Sequence, residues 1–221
     1  MEHWHPNPDF FFQPGAGPML DIGPYYITNL VQLLGPVARV AALTTTPSRT
    51  RTILSEPRHG EQIPVETPTN IHALLAFENG AAITVSTSWD VWAHRHGSME
   101  LYGTKGSMFL PDPNWFSGTV EVETSDGAAS ALDTQTHPFG VPNQDMDTEP
   151  KANYRMAGLA DMAAALKDGR PHRCSLELAL HVVDVMTAVL DAGERGEMVD
   201  VSSTCQRPAP LDADAARALL K

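Results

Sequence analysis

Asp21 and Tyr25 stand four positions apart, the spacing that places two side chains one above the other on the same face of an α-helix. A carboxylate and a phenol so arranged can hold one hydroxylated ligand between them. The carboxylate accepts a hydrogen bond or a proton; the phenol donates a hydrogen bond or, with a cation beside it, moves a proton. A helix beginning just before Asp21 would favour its ionised form through the positive end of the helix dipole. Gly15, Gly17 and Gly23 surround the pair, and without a Cβ they would let substrate or cofactor come close to the backbone. Gly17 is taken as the cofactor contact. His5, in the segment leading to these glycines, is a candidate substrate contact. So is His181, which follows Glu177 by four residues and precedes Asp184 by three. Spacing alone leaves plainer readings open: a helix-start aspartate, a half-buried tyrosine, a loop histidine bonded to backbone, and a helical polar stripe facing water. His3 and His5 flank Trp4, and His94 and His96 flank Arg95, but neither pair has a third ligand nearby in sequence, so no metal site is expected. Trp89, Asp90, Trp92, His94 and Arg95 have the chemistry to line a sugar pocket, with core packing and a subunit interface as the alternatives for the tryptophans.

The elements that must position these residues show in the periodicity. Prolines, glycines and aromatics alternate from Trp4 to Pro18, which forbids helix and favours an ordered extended loop. From Leu20 to Leu34 apolar residues recur at helical spacing, and Gly35-Pro36 ends the run. Pro24 is reconciled with that helix by a start between Pro18 and Gly23, which puts it in the first turn. Strands follow at Ala38–Thr46 and Thr69–Phe77, then Asn79-Gly80 as a tight turn and a return strand with Ala81, Ile83, Val85, Thr87 and Trp89 on one face. A second pair is expected at Met99–Tyr102 and Ser107–Leu110, a further strand at Thr119–Thr124, and a long loop at Ser125–Glu149. Helices at Tyr154–Asp168 and Leu176–Ala192 close the chain; the latter carries two apolar stripes, Leu176, Leu180, Val183 and Leu190 on one and Leu178, Val182, Val185 and Val189 on the other, reads as mostly buried, and is ended by Gly193. Sequential hairpins with helices before and after them predict an α+β fold, a large, mainly antiparallel open sheet with helices packed on one face. The uncovered sheet face predicts a homo-oligomer joined through it.

Composition narrows the partners. The chain has 221 residues, 42% of them hydrophobic, and a formal charge of −12 from 27 acidic against 15 basic residues. No dense basic cluster is present to follow a phosphate backbone, so nucleic acid is not an expected partner. No apolar run reaches the length of a membrane span, and the start lacks the layout of a signal peptide, so a cytoplasmic protein without membrane contact is expected. Cys174 and Cys205 fit no metal spacing. There is no strand followed by Gly-x-Gly-x-x-Gly, no Gly-x-Ser-x-Gly and no Walker phosphate loop.

The run Pro14-Gly15-Ala16-Gly17-Pro18-Met19-Leu20-Asp21-Ile22-Gly23-Pro24-Tyr25-Tyr26 resembles the active-site helix that opens the second domain of the Gfo/Idh/MocA oxidoreductases, the glucose-fructose oxidoreductase and inositol dehydrogenase type, with its three glycines and Asp-x-Gly-x-His. Gly35-Pro36-Val37, Glu100-Leu101-Tyr102-Gly103-Thr104-Lys105-Gly106-Ser107 and Leu180-His181-Val182-Val183-Asp184-Val185-Met186 extend the likeness over nearly the whole chain. The resemblance implies the substrate-binding and association half of an NAD- or NADP-dependent oxidoreductase acting on a sugar, polyol or related small hydroxy or carbonyl compound. The fold implied is the dihydrodipicolinate reductase-like second domain, here over 1–203 with a tail at 204–221 and with a first sheet strand from upstream missing. In that family the aspartate and the histidine four residues later contact the reacting group. Asp21 keeps its place, and Tyr25 stands where the histidine would be. The Glu-Lys-Pro motif of the cofactor domain is absent, so the chain alone is expected to hold no cofactor and to be inactive. A nonenzymatic ligand-binding or assembly module is the alternative reading.

Overall fold

The computed structural model describes residues 1–146 and 149–221; Asp147 and Thr148, within the expected loop, lie outside the described residues. The chain forms two compact units, one of Met1–Ala93 with Leu176–Arg207, the other of His94–Ser175 with Pro208–Lys221. The residues expected as a tail thus contribute to both.

In the first unit, helix α1 spans Pro18–Leu34. Pro18 takes the first helical position, where an amide would have no partner, and Gly17 before it has φ +92°, a conformation that favours glycine. The first helical bond runs from Asp21 N to Gly17 O at 3.1 Å. Pro24 therefore lies beyond the first turn, contrary to expectation, and leaves the Leu20 carbonyl without its helical donor. The buried stripe outweighs that cost. Met19, Ile27, Leu30 and Val31 are buried on one face, each contributing roughly 1.5–3 kcal/mol against about 3 kcal/mol for an interior proline.

Strands β1 (Val37–Thr45), β2 (Thr50–Thr52), β3 (Gln62–Pro64), β4 (Asn70–Phe77) and β5 (Ala82–Ser88) follow. The expected β4–β5 hairpin forms in register, with Leu75 opposite Ile83, Ala73 opposite Val85 and Ile71 opposite Thr87. Its tip differs from the expected turn. Gly80 has φ +90° while Asn79 does not share the left-handed region, and Phe77 N donates to Ala81 O at 2.9 Å, so the loop has three residues with glycine at its last position. Asn79 caps instead: its Nδ2 donates to Leu34 O at the end of α1 (2.8 Å), and its Oδ1 accepts from Ala81 N (2.9 Å). The short β2–β3 hairpin closes a small core of Phe12, Ile53, Ile63 and Val65, against which Phe11 and Trp89 pack.

The second unit contributes β6 (Met99–Gly103), β7 (Gly106–Leu110), β8 (Val120–Thr124) and β9 (Ala129–Leu132), a four-stranded antiparallel sheet in that order, and helix α2 (Ala157–Asp168). β9 lies inside the expected loop; it is exposed throughout and therefore shows no apolar alternation. Asp161 of α2, only 2% exposed, accepts from Arg170 Nη2 (2.9 Å) and from Arg173 N and Nη1 (2.9 and 2.6 Å). Arg173 also donates to the Ala209 and Pro210 carbonyls (2.9 and 3.1 Å) and so ties down the C-terminal segment.

The chain then returns to the first unit as α3 (Leu176–Arg195) and β10 (Val199–Asp200), and ends in the second with α4 (Ala213–Leu219). The first unit's sheet has the order β10-β1-β4-β5. α3 buries Leu178, Val182, Val185 and Val189, while Leu176, Leu180 and Val183 are exposed, so one stripe and not both is covered. Gly193, expected to end this helix, is inside it. An ideal Cβ there would lie 2.3 Å from Thr44 Cγ2, so this glycine lets α3 settle onto β1. The opposite face of the sheet carries Leu43 and Leu74, 73% and 58% exposed.

Candidate functional site

The buried stripe of α1 determines what its other side presents. With Met19, Gly23 and Ile27 turned inward, Asp21 and Tyr25 fall on the outer surface of the first two turns, both exposed. Gly23 lets α1 pack closely, because a Cβ there would come within 2.9 Å of Met186 Sδ on α3. The structure thus brings Asp21 and Tyr25 together at the N-terminal end of a well-packed helix. Although Asp21 is exposed, desolvation by the protein around it raises its pKa above the ordinary aspartate value, against a smaller downward pull from the amino group of Met1.

The approach to this helix is rigid. Pro8–Phe12 forms one 3-10 turn, Phe12 is fully buried, and Phe11 O accepts from Gly17 N at 3.1 Å. His5 is held by edge contacts with Trp4, Phe10 and Phe11, whose ring centroids lie 5.2, 5.1 and 5.4 Å away. Its Nδ1 accepts from Asn7 N at 3.0 Å, which in the neutral ring places the proton on Nε2 as a donor. Gly17 has an internal reason for its identity: a Cβ there would lie 2.9 Å from Pro68 O and 3.0 Å from Thr67 Oγ1. The close neighbour of this glycine is the chain itself, so the geometry does not support the cofactor contact assigned to it.

His181 departs from its expected place altogether. It is fully buried, Nε2 accepting from Val37 N at 3.0 Å and Nδ1 facing Ser203 O and Oγ at 3.1 and 3.0 Å. With both nitrogens engaged inside the protein it has none to offer a ligand, nor does it face water. Val37 follows the far end of α1, about 20 Å along the axis from Asp21 at 1.5 Å per residue. Burial lowers the His181 pKa, opposed by the Ser203 bond and by Asp184 and Glu78. Asp184 itself accepts from Ser202 Oγ (3.0 Å) and Ser203 N (2.8 Å). The sequence did hold a signal for this role, since His181 is three residues from Leu178 and four from Val185 on the stripe that is buried.

Around the proposed sugar-lining segment, Trp89 joins the small core, Asp90 pairs with Arg51 and accepts from Thr69 Oγ1 at 2.7 Å, and Trp92 is 93% exposed. Arg51 also reaches Glu2 at 3.4 Å. Residues so far apart in sequence give no spacing signal. Among the described residues no three His, Cys, Asp or Glu side chains converge as a metal site, and no helix is long and apolar enough to cross a membrane.

The sequence matches the GFO/IDH/MocA C-terminal domain over residues 1–109. This stretch belongs to that family. No curated protein matches the chain. Among solved structures, the apo form of levoglucosan dehydrogenase aligns with TM-score 0.71 at 20% identity, over 91% of this chain and 57% of that one. Its complex with NADH and levoglucosan aligns with TM-score 0.66 at 19% identity, over 90% and 56%. An NAD binding oxidoreductase from Klebsiella pneumoniae aligns with TM-score 0.66 at 21% identity, over 86% and 52%. The α+β fold is therefore that of the Gfo/Idh/MocA second domain, and the chain spans little more than half the length of these structures.

Proposed function

We propose that this chain is the substrate-binding and assembly half of a cytoplasmic NAD- or NADP-dependent oxidoreductase acting on a sugar, polyol or related small hydroxy or carbonyl compound. The observation that carries the reading is the Asp21–Tyr25 pair, presented outward from the first turns of α1 in a fold shared with oxidoreductases, one of them solved with NADH and levoglucosan. Asp21 accepts a hydrogen bond from the substrate's reacting hydroxyl and orients or takes its proton. Tyr25, one turn on, donates to the same oxygen or its neighbour. His5 offers Nε2–H from the adjacent loop as a further donor.

The nicotinamide cofactor supplies or receives the hydride when bound. The residues of this chain do not fit it: Gly17 is filled against Thr67 and Pro68, and no Gly-x-Gly-x-x-Gly strand-to-helix turn occurs in the sequence. Cofactor binding is assigned to a Rossmann domain outside these residues, which leaves the chain alone without turnover. The uncovered face of the first unit's sheet is taken as the contact between copies.

The test is to express the protein with the coding sequence that precedes Met1 and follow nicotinamide absorbance across a panel of anhydrosugars, sugars and polyols. Asp21→Asn and Tyr25→Phe should each lower turnover about a hundredfold, the usual scale for a proton-handling group, with folding intact. Unchanged turnover in both variants would remove the pair from the reaction.

A further inference from the structure

The segment that leads to α1 presents two large aromatic rings on the surface of the first unit, Trp4 at 62% exposure and Phe10 at 50%. They flank the His5 imidazole, their centroids 5.2 and 5.1 Å from it and their planes inclined to it by 79° and 78°. Phe11 supports both from behind, 6.1 Å from Trp4 and 4.1 Å from Phe10, and itself rests edge-on against Trp89 at the small core. The backbone under the rings is also fixed. Met1 O accepts from His5 N at 3.1 Å, Glu2 O from Leu54 N at 2.9 Å and His5 O from Ser55 Oγ at 2.5 Å. Arg58 pairs with Asp9 and donates to Asn7. A ligand stacked on these rings would have little of the protein left to order.

The same segment runs directly into the candidate site. Phe11 O accepts from Gly17 N and Gly17 O from Asp21 N, both at 3.1 Å, and the chain at Met1 lies close enough to Asp21 for its amino group to act on the carboxylate. Grouped aromatic surface of this kind marks a place of contact. Its polar content narrows what makes the contact. Between the two rings stands one neutral imidazole whose Nδ1 is used by Asn7 N, so the donor turned to a ligand is Nε2–H. A wholly apolar partner would bury that donor unpaired at a cost of about 1–3 kcal/mol. A pyranose ring has what the surface lacks: a C–H face, slightly positive, to lie on the electron-rich face of an aromatic ring, and hydroxyls at its edge to accept from the imidazole.

We propose that Trp4, His5 and Phe10 form a second sugar subsite, and that the substrate is a glycoside of at least two pyranose rings. The reacting ring lies at Asp21 and Tyr25, the C–H face of the next ring stacks on the surface of Trp4 and Phe10, and one of its hydroxyls accepts from His5 Nε2. The inference rests on Asp21 and Tyr25 holding the substrate, and it makes the length of that substrate a determinant of affinity.

The test is calorimetric titration of the protein, expressed with the coding sequence that precedes Met1, with cellobiose and with methyl β-glucoside, which keeps the first ring and the glycosidic oxygen but has no second ring. Cellobiose should bind about tenfold more tightly, the scale of one stacked ring, and Trp4→Ala combined with Phe10→Ala should erase most of that difference. Equal affinity for the two sugars, no saturable binding of cellobiose, or a preference undiminished in the double variant would overturn the proposal. The sugar comparison in the parent protein needs no mutation, so a variant that fails to fold does not spare it. Nicotinamide absorbance separates this inference from the redox reading. Turnover of methyl β-glucoside with no preference for cellobiose removes the subsite alone, whereas a cellobiose preference that the double variant loses, with no turnover of any sugar, supports the subsite and removes the redox step alone.

Discussion

Two ionisable residues singled out by the sequence have opposite settings, and their titrations separate them. Desolvation raises the Asp21 pKa above the ordinary 3.8, so the carboxylate forms later as pH increases. If it handles the substrate proton, turnover should fall on the acid side at a higher pH than an ordinary aspartate would give, and Asp21→Asn should remove that limb from what activity remains; a limb unaltered in the variant would assign it to another group. His181 is held neutral, its pKa lowered by burial below the usual 6.5. The unfolded chain takes up a proton near 6.5 that the folded chain refuses, so stability is present above that value and declines as pH falls through it towards the folded pKa. His181→Leu strands the Val37 amide in the interior and should cost on the order of 2–3 kcal/mol at neutral pH. The deficit should shrink below about pH 6, as the wild type loses its advantage. Urea unfolding of both proteins across this range is the measurement, and equal midpoints at neutral pH would show that the bond to Val37 contributes nothing.

Elements whose apolar residues recur at a regular spacing were legible, and short ones without such a repeat were not. β4 and β5 announce themselves because Ile71, Ala73, Leu75 and Phe77 alternate with exposed neighbours, and α1 because its stripe recurs at helical spacing. β2, β3 and β9 are short and largely polar or exposed, and their pairing comes from the surrounding fold. α3 shows a different limit. Two apolar stripes were visible on it, but periodicity does not tell which one meets a sheet, and this hid the buried role of His181. Its length was misjudged for a related reason. Glycine reads as a helix stop, whereas Gly193 serves contact with Thr44 and the helix continues to Arg195. Gly193→Ala should therefore destabilise by about 1–3 kcal/mol through overpacking, more than the backbone preference for alanine in a helix returns. Adding Thr44→Ala, which removes the nearest colliding atoms, should recover part of the loss. Thermal unfolding of the single and double variants decides it, and a Gly193→Ala protein as stable as the parent would mean that α3 shifts on β1 without cost.

For the molecule as a whole, the fold class was readable because hairpins followed by helices admit few layered arrangements, while the division into two units, with the chain leaving the first at Ala93 and returning at Leu176, depends on contacts distant in sequence. The first unit also bears on association. α1 and α3 cover one face of its sheet, and the other carries Leu43 and Leu74 among small and polar neighbours on paired strands. Leu43 pairs with His72 and Ala41 with Leu74, so the two leucines sit close together, and the charges on that face at the end of β1, Arg39 and Asp200, pair with each other. A stable contact between copies buries about 800 Å2 on each, an area that such a sheet face can supply when two copies stack. Light scattering should therefore find a dimer or larger assembly, and replacing Leu43 and Leu74 together by glutamate should yield a folded monomer, because desolvating two new carboxylates against an identical copy opposes the stacking. If the parent chain is a monodisperse monomer at high concentration, this face does not join copies. If the double variant assembles as the parent does, the contact lies on another surface.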